Sequence, residues 1–104
     1  MPSYLVTARI RLDKLDELEE HLIAESFNRY PAFGNRLAQS LKHAMMIDDM
    51  TAIWEEESSG DPPLREERIA VLDTYFEAFA IKEIRKEIGW EKIRELPRLF
   101  PDFE

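Results

Sequence analysis

The sequence predicts an α+β domain built on a four-stranded antiparallel sheet, and three observations carry that expectation. From Ser3 to Leu12 the apolar residues alternate, with Tyr4, Val6, Ala8, Ile10 and Leu12 on one face and Leu5, Thr7, Arg9 and Arg11 on the other. From Asp13 the spacing becomes helical, with Leu15, Leu18, Leu22 and Ile23 forming a stripe. A strand feeding directly into an amphipathic helix excludes an all-helical bundle. The second observation is the strand-like run Thr51-Ala-Ile-Trp54-Glu-Glu-Glu57, which follows the turn residues Asp48-Asp49. The third is a length limit. A single helix running from the Pro62-Pro63 step past Ile84 and Ile88 to Leu96 would be far longer than the helices of ordinary small domains and would contain Gly89. A fourth strand therefore belongs inside that stretch.

The elements follow in order. Asp13 is a suitable N-cap for the first helix, with Asp16 and Glu17 near its positive dipole end. The helix is expected to reach about Arg29, where Pro31 and Gly34 break the pattern. A second helix carries Leu37, Ala38, Leu41 and Met45 at core spacing. The segments Ala44–Ile47 and Met50–Glu57 read as a hairpin. Ser58-Ser-Gly-Asp-Pro-Pro63 is a loop whose prolines suit the first turn of the next helix. In that helix Ile69, Leu72, Phe76 and Phe79 form the expected apolar stripe, reinforced by Leu64 and Tyr75. Phe79–Lys86 is the expected fourth strand, with Phe79 and Ile81 on one face and Ile84 on the other. Beyond Gly89, a short helical turn from Trp90 to Leu96 leads into a tail, 97–104, anchored by Leu99, Phe100 and Phe103. That tail is expected to pack on the domain or on a partner subunit. The resulting order, β-α(α)-β-β-α-β with a C-terminal extension, is the ferredoxin-like split βαβ plan, with helices on one face of the sheet.

Residues 1–104 make one domain. A net charge of −8 excludes a non-specific nucleic-acid binder and disfavours an anionic membrane surface. The basic groups Arg9 with Arg11, and Lys82, Arg85 and Lys86, are too few to reverse that sign. The absence of cysteine removes disulfides, thiolate metal sites and thiol nucleophiles, and fits a reducing compartment. With no membrane-length apolar run and no signal-like start, the expected location is cytoplasmic. No cofactor, metal, nucleic-acid partner or membrane partner is expected.

The opening Ser3-Tyr-Leu-Val-Thr-Ala-Arg-Ile-Arg-Leu12 strand, its immediate helix Asp13-Lys-Leu-Asp-Glu-Leu-Glu-Glu-His-Leu22 and the later Trp54 strand resemble the dimeric α+β barrel superfamily. The resemblance covers element order and implies a homodimer in which two sheets close a barrel. Members include cofactorless monooxygenases, haem-handling proteins, isomerases and stress proteins. Monooxygenase-like members tend to place a histidine shortly after the tryptophan strand, whereas no histidine lies between Trp54 and Phe79 here. The resemblance therefore implies fold and dimer without an activity, and reasoning from fold alone is analogy.

The polar constellation with most support in the sequence joins Arg9 and Arg11 to Glu55, Glu56 and Glu57, beside Trp54. Alternation sends Glu56 to the face of Trp54 and Ala52, and Glu55 and Glu57 to the face of Ile53. If the first and third strands are antiparallel neighbours, Arg9 and Arg11 can pair with these carboxylates. The ordinary reading is a salt-bridged sheet face, worth about 0–1 kcal/mol per exposed pair. The functional reading is a polar, ligand-binding cavity with Trp54 or Tyr4 as an aromatic wall. Glu17, His21 and Glu25 lie one helical turn apart, a spacing that can bind metal but more often marks a solvated helix face. His43 has no acid at helical spacing on its N-terminal side and reads as structural. Ser26, Ser40, Ser58 and Ser59 lack a nucleophile motif, and the three glycines are too isolated for a phosphate loop. The leading expectation is a small homodimeric α+β protein without an assigned reaction. The alternatives are a cofactorless small-molecule enzyme or ligand binder lined by Arg9, Arg11, Trp54 and Glu55–Glu57, and an interaction module using the acidic helix Glu17–Glu25.

Overall fold

The computed structural model describes residues 1–103, built around one antiparallel sheet of four strands in the order β2-β3-β1-β4. Strand β1 (Ser3–Ile10) lies between β3 (Thr51–Glu57) and β4 (Phe76–Ile84), and β2 (Met45–Asp48) pairs with β3 on its outer side. This arrangement is consistent with the ferredoxin-like plan. The alternation of β1 does what its pattern dictates. Tyr4, Val6, Ala8 and Ile10 are buried, and register brings Glu56, Trp54 and Ala52 of β3 to the same face. The Trp54 and Phe76 rings meet there with centroids 4.9 Å apart.

The first crossover contains α1 (Leu15–Ile23) and α2 (Gly34–Lys42). Asp13 does not cap α1: it lies in a 3-10 turn, Leu12–Lys14, and the capping position falls to Lys14, with no side-chain hydrogen bond. Nor does α1 reach Arg29. It ends at Ile23; Glu25 then takes a positive φ of 56°, and Ser26–Arg29 forms a separate 3-10 turn. That turn carries Phe27 into the core and its carbonyl against α2. A Cβ at Gly34 would lie only 1.7 Å from the Phe27 carbonyl oxygen, so glycine is needed for this close approach. Leu37, Ala38 and Leu41 of α2 complete the core beside Leu18 and Leu22 of α1. Met45, which the sequence reads both as the end of the α2 stripe and as part of the hairpin arm Ala44–Ile47, begins β2.

The second crossover runs through α3 (Arg65–Glu67), a π turn at Arg68–Leu72 and α4 (Asp73–Tyr75). Buried Ser58 orders the approach, its hydroxyl accepting the N–H groups of Gly60 and Leu64, each at 3.1 Å. The stripe that enters the core is Leu64, Glu67, Val71, Leu72 and Tyr75. Ile69, expected inside, is 71% exposed. The expected Leu64, Leu72, Tyr75 and Phe76 are buried, and the inward place expected of Ile69 is taken by Glu67, a carboxylic acid that hydrophobicity alone does not mark.

Strand β4 begins at Phe76, three residues before the expected Phe79, and ends at Ile84 rather than Lys86. Ile84 takes the face opposite Phe79 and Ile81 because alternation runs unbroken from Ala80, and its side chain meets Gly89 there. Ala78 adopts a φ of 53°, and the β1–β4 register shifts between Thr7 and Arg9, which marks a bulge. That bulge lets Phe76 and Phe79, three residues apart, share the core face.

The expectation of helices on one face is corrected by α5 (Ile88–Ile93), which lies on the other face. Gly89 is buried against Leu5, Glu55 and Ile84, all on the side opposite Tyr4 and Val6. The chain after α5 follows β2: the Met46 N–H donates to the Pro97 carbonyl at 2.8 Å, the Leu99 N–H donates to Ala44 at 2.9 Å, and Met45 and Arg98 form an isolated bridge. Phe100 is buried, with Phe103 edge-on to it at 5.9 Å. Glu104, the last residue of the expected tail, lies outside the described residues.

Candidate functional site

The residues singled out from the sequence do not converge. Antiparallel pairing of β1 with β3 is present, but its register places Arg9 opposite Thr51, Leu5 opposite Glu55 and Ser3 opposite Glu57. Arg9 is thus four residues along the strand from the pairing position of Glu55, roughly 13 Å at strand rise. Both arginines turn to Glu77 of β4 instead, Arg11 at 2.9 Å and Arg9 at 3.9 Å. These are exposed pairs, and they belong to the sheet end remote from the carboxylate run. Trp54 and Glu56 enter the core, while Glu55 and Glu57 face the α5 side, so alternation divides the run as its pattern requires.

A different site forms where β2 stops short. Pairing between β2 and β3 reaches Ile53, so Trp54–Glu57 have no β2 neighbour on their outer side. Past this uncovered edge, α2 from the helix layer and α5 from the opposite face approach one another. Two adjoining depressions, of about 290 and 400 Å³, share Gln39, Ser40 and Trp90 in their walls. The first adds Arg36, Glu55, Glu57, Lys86 and Glu87; the second adds His43, Met45 and Arg94.

The architecture of this groove follows from hydrogen bonding. Glu55 is buried and accepts the backbone N–H of Glu87 at 2.6 Å and of Trp90 at 3.2 Å, satisfying donors at the start of α5 and fixing that helix to the sheet. Glu57 pairs with Lys86 at 3.3 Å. His43 Nδ1 is 2.8 Å from the Gln39 carbonyl. A carbonyl only accepts, so Nδ1 carries the proton and Nε2 is the acceptor of the neutral ring. The His43 ring stands edge-on to Trp90 at 6.5 Å. The tail supports the same wall, with Arg98 donating to the Lys42 carbonyl at 3.0 Å and Lys42 over the Phe103 ring at 5.5 Å.

Behind the groove lies a buried acid pair. Glu56 is 1% exposed and Glu67 3%. Trp54 Nε1 donates to Glu56 Oε1 at 3.2 Å, whereas the buried Glu56 Oε2 has no protein partner. Burial pushes the Glu56 carboxyl well above the usual carboxylate range, and the Glu67 carboxylate pushes the same way; the Trp54 hydrogen bond and Arg36 act in the opposite sense. Arg36 therefore belongs to both regions. It lines the groove, senses Glu56 and has a buried Nε without a partner.

Arg36, Glu67 and Arg94 carry no mark in the sequence, and His43 reads there as structural. His43 had one usable signal: it follows Gln39 by one helical turn at the end of an amphipathic helix. Glu67 had none, because it looks like an ordinary solvated helix residue. His21 does not form an acid–imidazole–acid stripe, since Glu25 lies beyond the end of α1. Its ring instead lies 5.9 Å from Phe27 and 6.4 Å from Tyr75, whose hydroxyl donates to Glu17 at 3.2 Å. Among the described residues, no group of three or more His, Cys, Asp or Glu is placed to hold a metal ion, and no helix is long and apolar enough to cross a membrane. Compared with protein-family models, curated proteins and solved structures, the chain finds no match in any of the three.

Proposed function

We propose that this chain binds a small aromatic anion in the groove between α2 and α5. The observation that carries the reading is the position of Trp90. Its half-buried ring stands edge-on to His43 where the two depressions join, with Arg36 on one side and Arg94 on the other. A flat apolar ring suits that wall, and an attached acid suits the guanidinium groups.

Charge placement supports the same reading. The protein carries a net charge of −8, yet Arg36, Lys86 and Arg94 gather around this one groove. Of its three carboxylates, Glu55 is engaged by backbone N–H groups and Glu57 by Lys86, while Glu87 is exposed. Arg36 has no carboxylate partner within ion-pair distance among the described residues, and Arg94 has only the exposed Glu95 at 3.7 Å. An incoming carboxylate would replace water around these guanidinium groups with charge-assisted hydrogen bonds.

Calorimetric titration with naphthoate, and with the uncharged naphthalene methanol as control, tests the proposal. Naphthoate is expected to bind saturably and more tightly than the alcohol. Replacing Arg36 or Arg94 by Gln should weaken naphthoate binding by about tenfold each, the equivalent of ~1.4 kcal/mol and near the lower bound for a charge-assisted hydrogen bond. Trp90→Ala should weaken acid and alcohol alike. Absence of saturable binding at millimolar naphthoate, or binding indifferent to both arginine substitutions, would overturn the reading.

A further inference from the structure

We infer that the outer edge of β4 is the interface of a two-fold homodimer, in which two β4 strands pair antiparallel and join the sheets of two copies. This inference is independent of the ligand groove, which lies at the other side of the sheet beyond β3. Of the two outer strands, β2 is already covered, because the chain after Pro97 hydrogen-bonds to Ala44 and Met46 and bridges Met45. No described residue pairs with the outer side of β4, a strand of nine residues. A row of free backbone donors and acceptors of that length is a template for another strand. The sheet-on-sheet dimer implied by the family resemblance meets an obstacle, since α5 lies across the face that such a stack would use.

The side-chain pattern of β4 selects a second copy as the occupant. With both helix layers on the same side of the joined sheet, facing residues must share an orientation, so the two-fold axis passes through a residue position. An axis at Lys82 would face that lysine with itself, and one at Ala80 would bring Glu77 towards Glu83. An axis at Phe79 would run the pairing through the bulge at Ala78. An axis at Ile81 confines the pairing to 78–84, leaves the bulge at Ala78 at its end opposite Ile84, and keeps like charges apart. It faces Ile81 with its own copy, Ala80 with Lys82 and Phe79 with Glu83.

An apolar depression of about 230 Å³ lies beside that position, with Pro62, Pro63, Ile69 and Ile81 in its wall. Ile69 is the most exposed large apolar side chain described, at 71%. The Arg68 guanidinium at its rim lies over the Phe79 ring at 4.3 Å and pairs with Asp73 at 2.9 Å. Pairing at Ile81 sets two such depressions on either side of the axis, so Ile69 of each copy gains apolar neighbours.

Ala80 is the position that tests both interface and register, because it is exposed in the single chain and faces Lys82 of the second copy twice across the axis. Sedimentation equilibrium should find the unmodified chain at twice 12.3 kDa at micromolar to submillimolar concentration. Ala80→Lys should raise the dimer dissociation constant several-fold by opposing lysines, and Ala80→Glu should lower it by pairing with Lys82. Circular dichroism checks that both variants keep the fold. A wild-type chain that stays monomeric throughout, or a dimer that responds equally to both substitutions or to neither, would overturn the inference.

Discussion

A carboxyl group at position 56 is costly to ionise, because it is buried on the core side of the sheet beside a second buried acid. In the folded chain Glu56 holds its proton more tightly than in the unfolded chain, since burial, followed by the Glu67 carboxylate, raises it well above the usual 4.5. The sign of the linkage follows. The contribution of Glu56 to stability is fully present below the unfolded carboxyl range near 4.5 and is lost as pH rises through the higher folded value. Glu56→Gln keeps an acceptor for the Trp54 indole N–H and removes the charge. Thermal melts should therefore show the variant gaining on the wild type as pH rises from 5 to 8, with the difference shrinking towards pH 4. A difference that does not vary with pH would contradict the assignment. Alternation along the strand sets which way Glu56 points. Its neighbours could not be read, because Arg36 and Glu67 come from two helices whose rotation only packing decides.

At the scale of the element, α5 is the piece that makes the groove, and its six residues are too few to be stable as an isolated helix. It is held by the Glu55 carboxylate at its N–H groups, by the close approach of Gly89 to Leu5 and Ile84, and by burial of Ile93. A Cβ at Gly89 would lie 2.7 Å from Ile84 Cδ1 and 2.9 Å from Glu55 Oε1. Gly89→Ala should cost about 1 kcal/mol, because the ends of the Ile84 and Glu55 side chains must shift while alanine regains helix propensity. Glu55→Ala should cost ~1–3 kcal/mol by leaving backbone donors unpaired. Chemical denaturation measures both losses. Each variant should also expose Trp90 to acrylamide quenching, whereas the buried Trp54 stays protected. Equal quenching of wild type and variants would show that α5 is held by something else. In the sequence Gly89 reads as a breaker, and only the close approach explains its place inside the helix. β4 was partly legible for a related reason: length required a strand there, but the bulge at Ala78 hid where alternation began.

The molecule as a whole was legible in its order of elements. Period changes, turn residues and a limit on helix length lead to four strands and two crossovers without any knowledge of packing. Of the site only Glu55 and Glu57 were legible, because the groove is made by an absence of pairing: β2 ends before β3 does, and helices from opposite faces meet across the edge left uncovered. The arginines of β1 were drawn towards Glu55 and Glu57 by shared orientation, but register set them at the other end of the sheet, on Glu77. Shared orientation fixes which face a residue takes, and register fixes whom it meets. Ligand binding in the groove is the central claim. The most direct measurement is a nitrogen-15 correlation spectrum of the labelled protein during titration with naphthoate. Saturable shifts are expected at the Trp90 indole N–H and at the amides of Gln39, Ser40, His43 and Arg94, with Arg9, Arg11 and Glu77 unmoved. Shifts centred on those three residues, or no saturable shift in the groove, would contradict the claim.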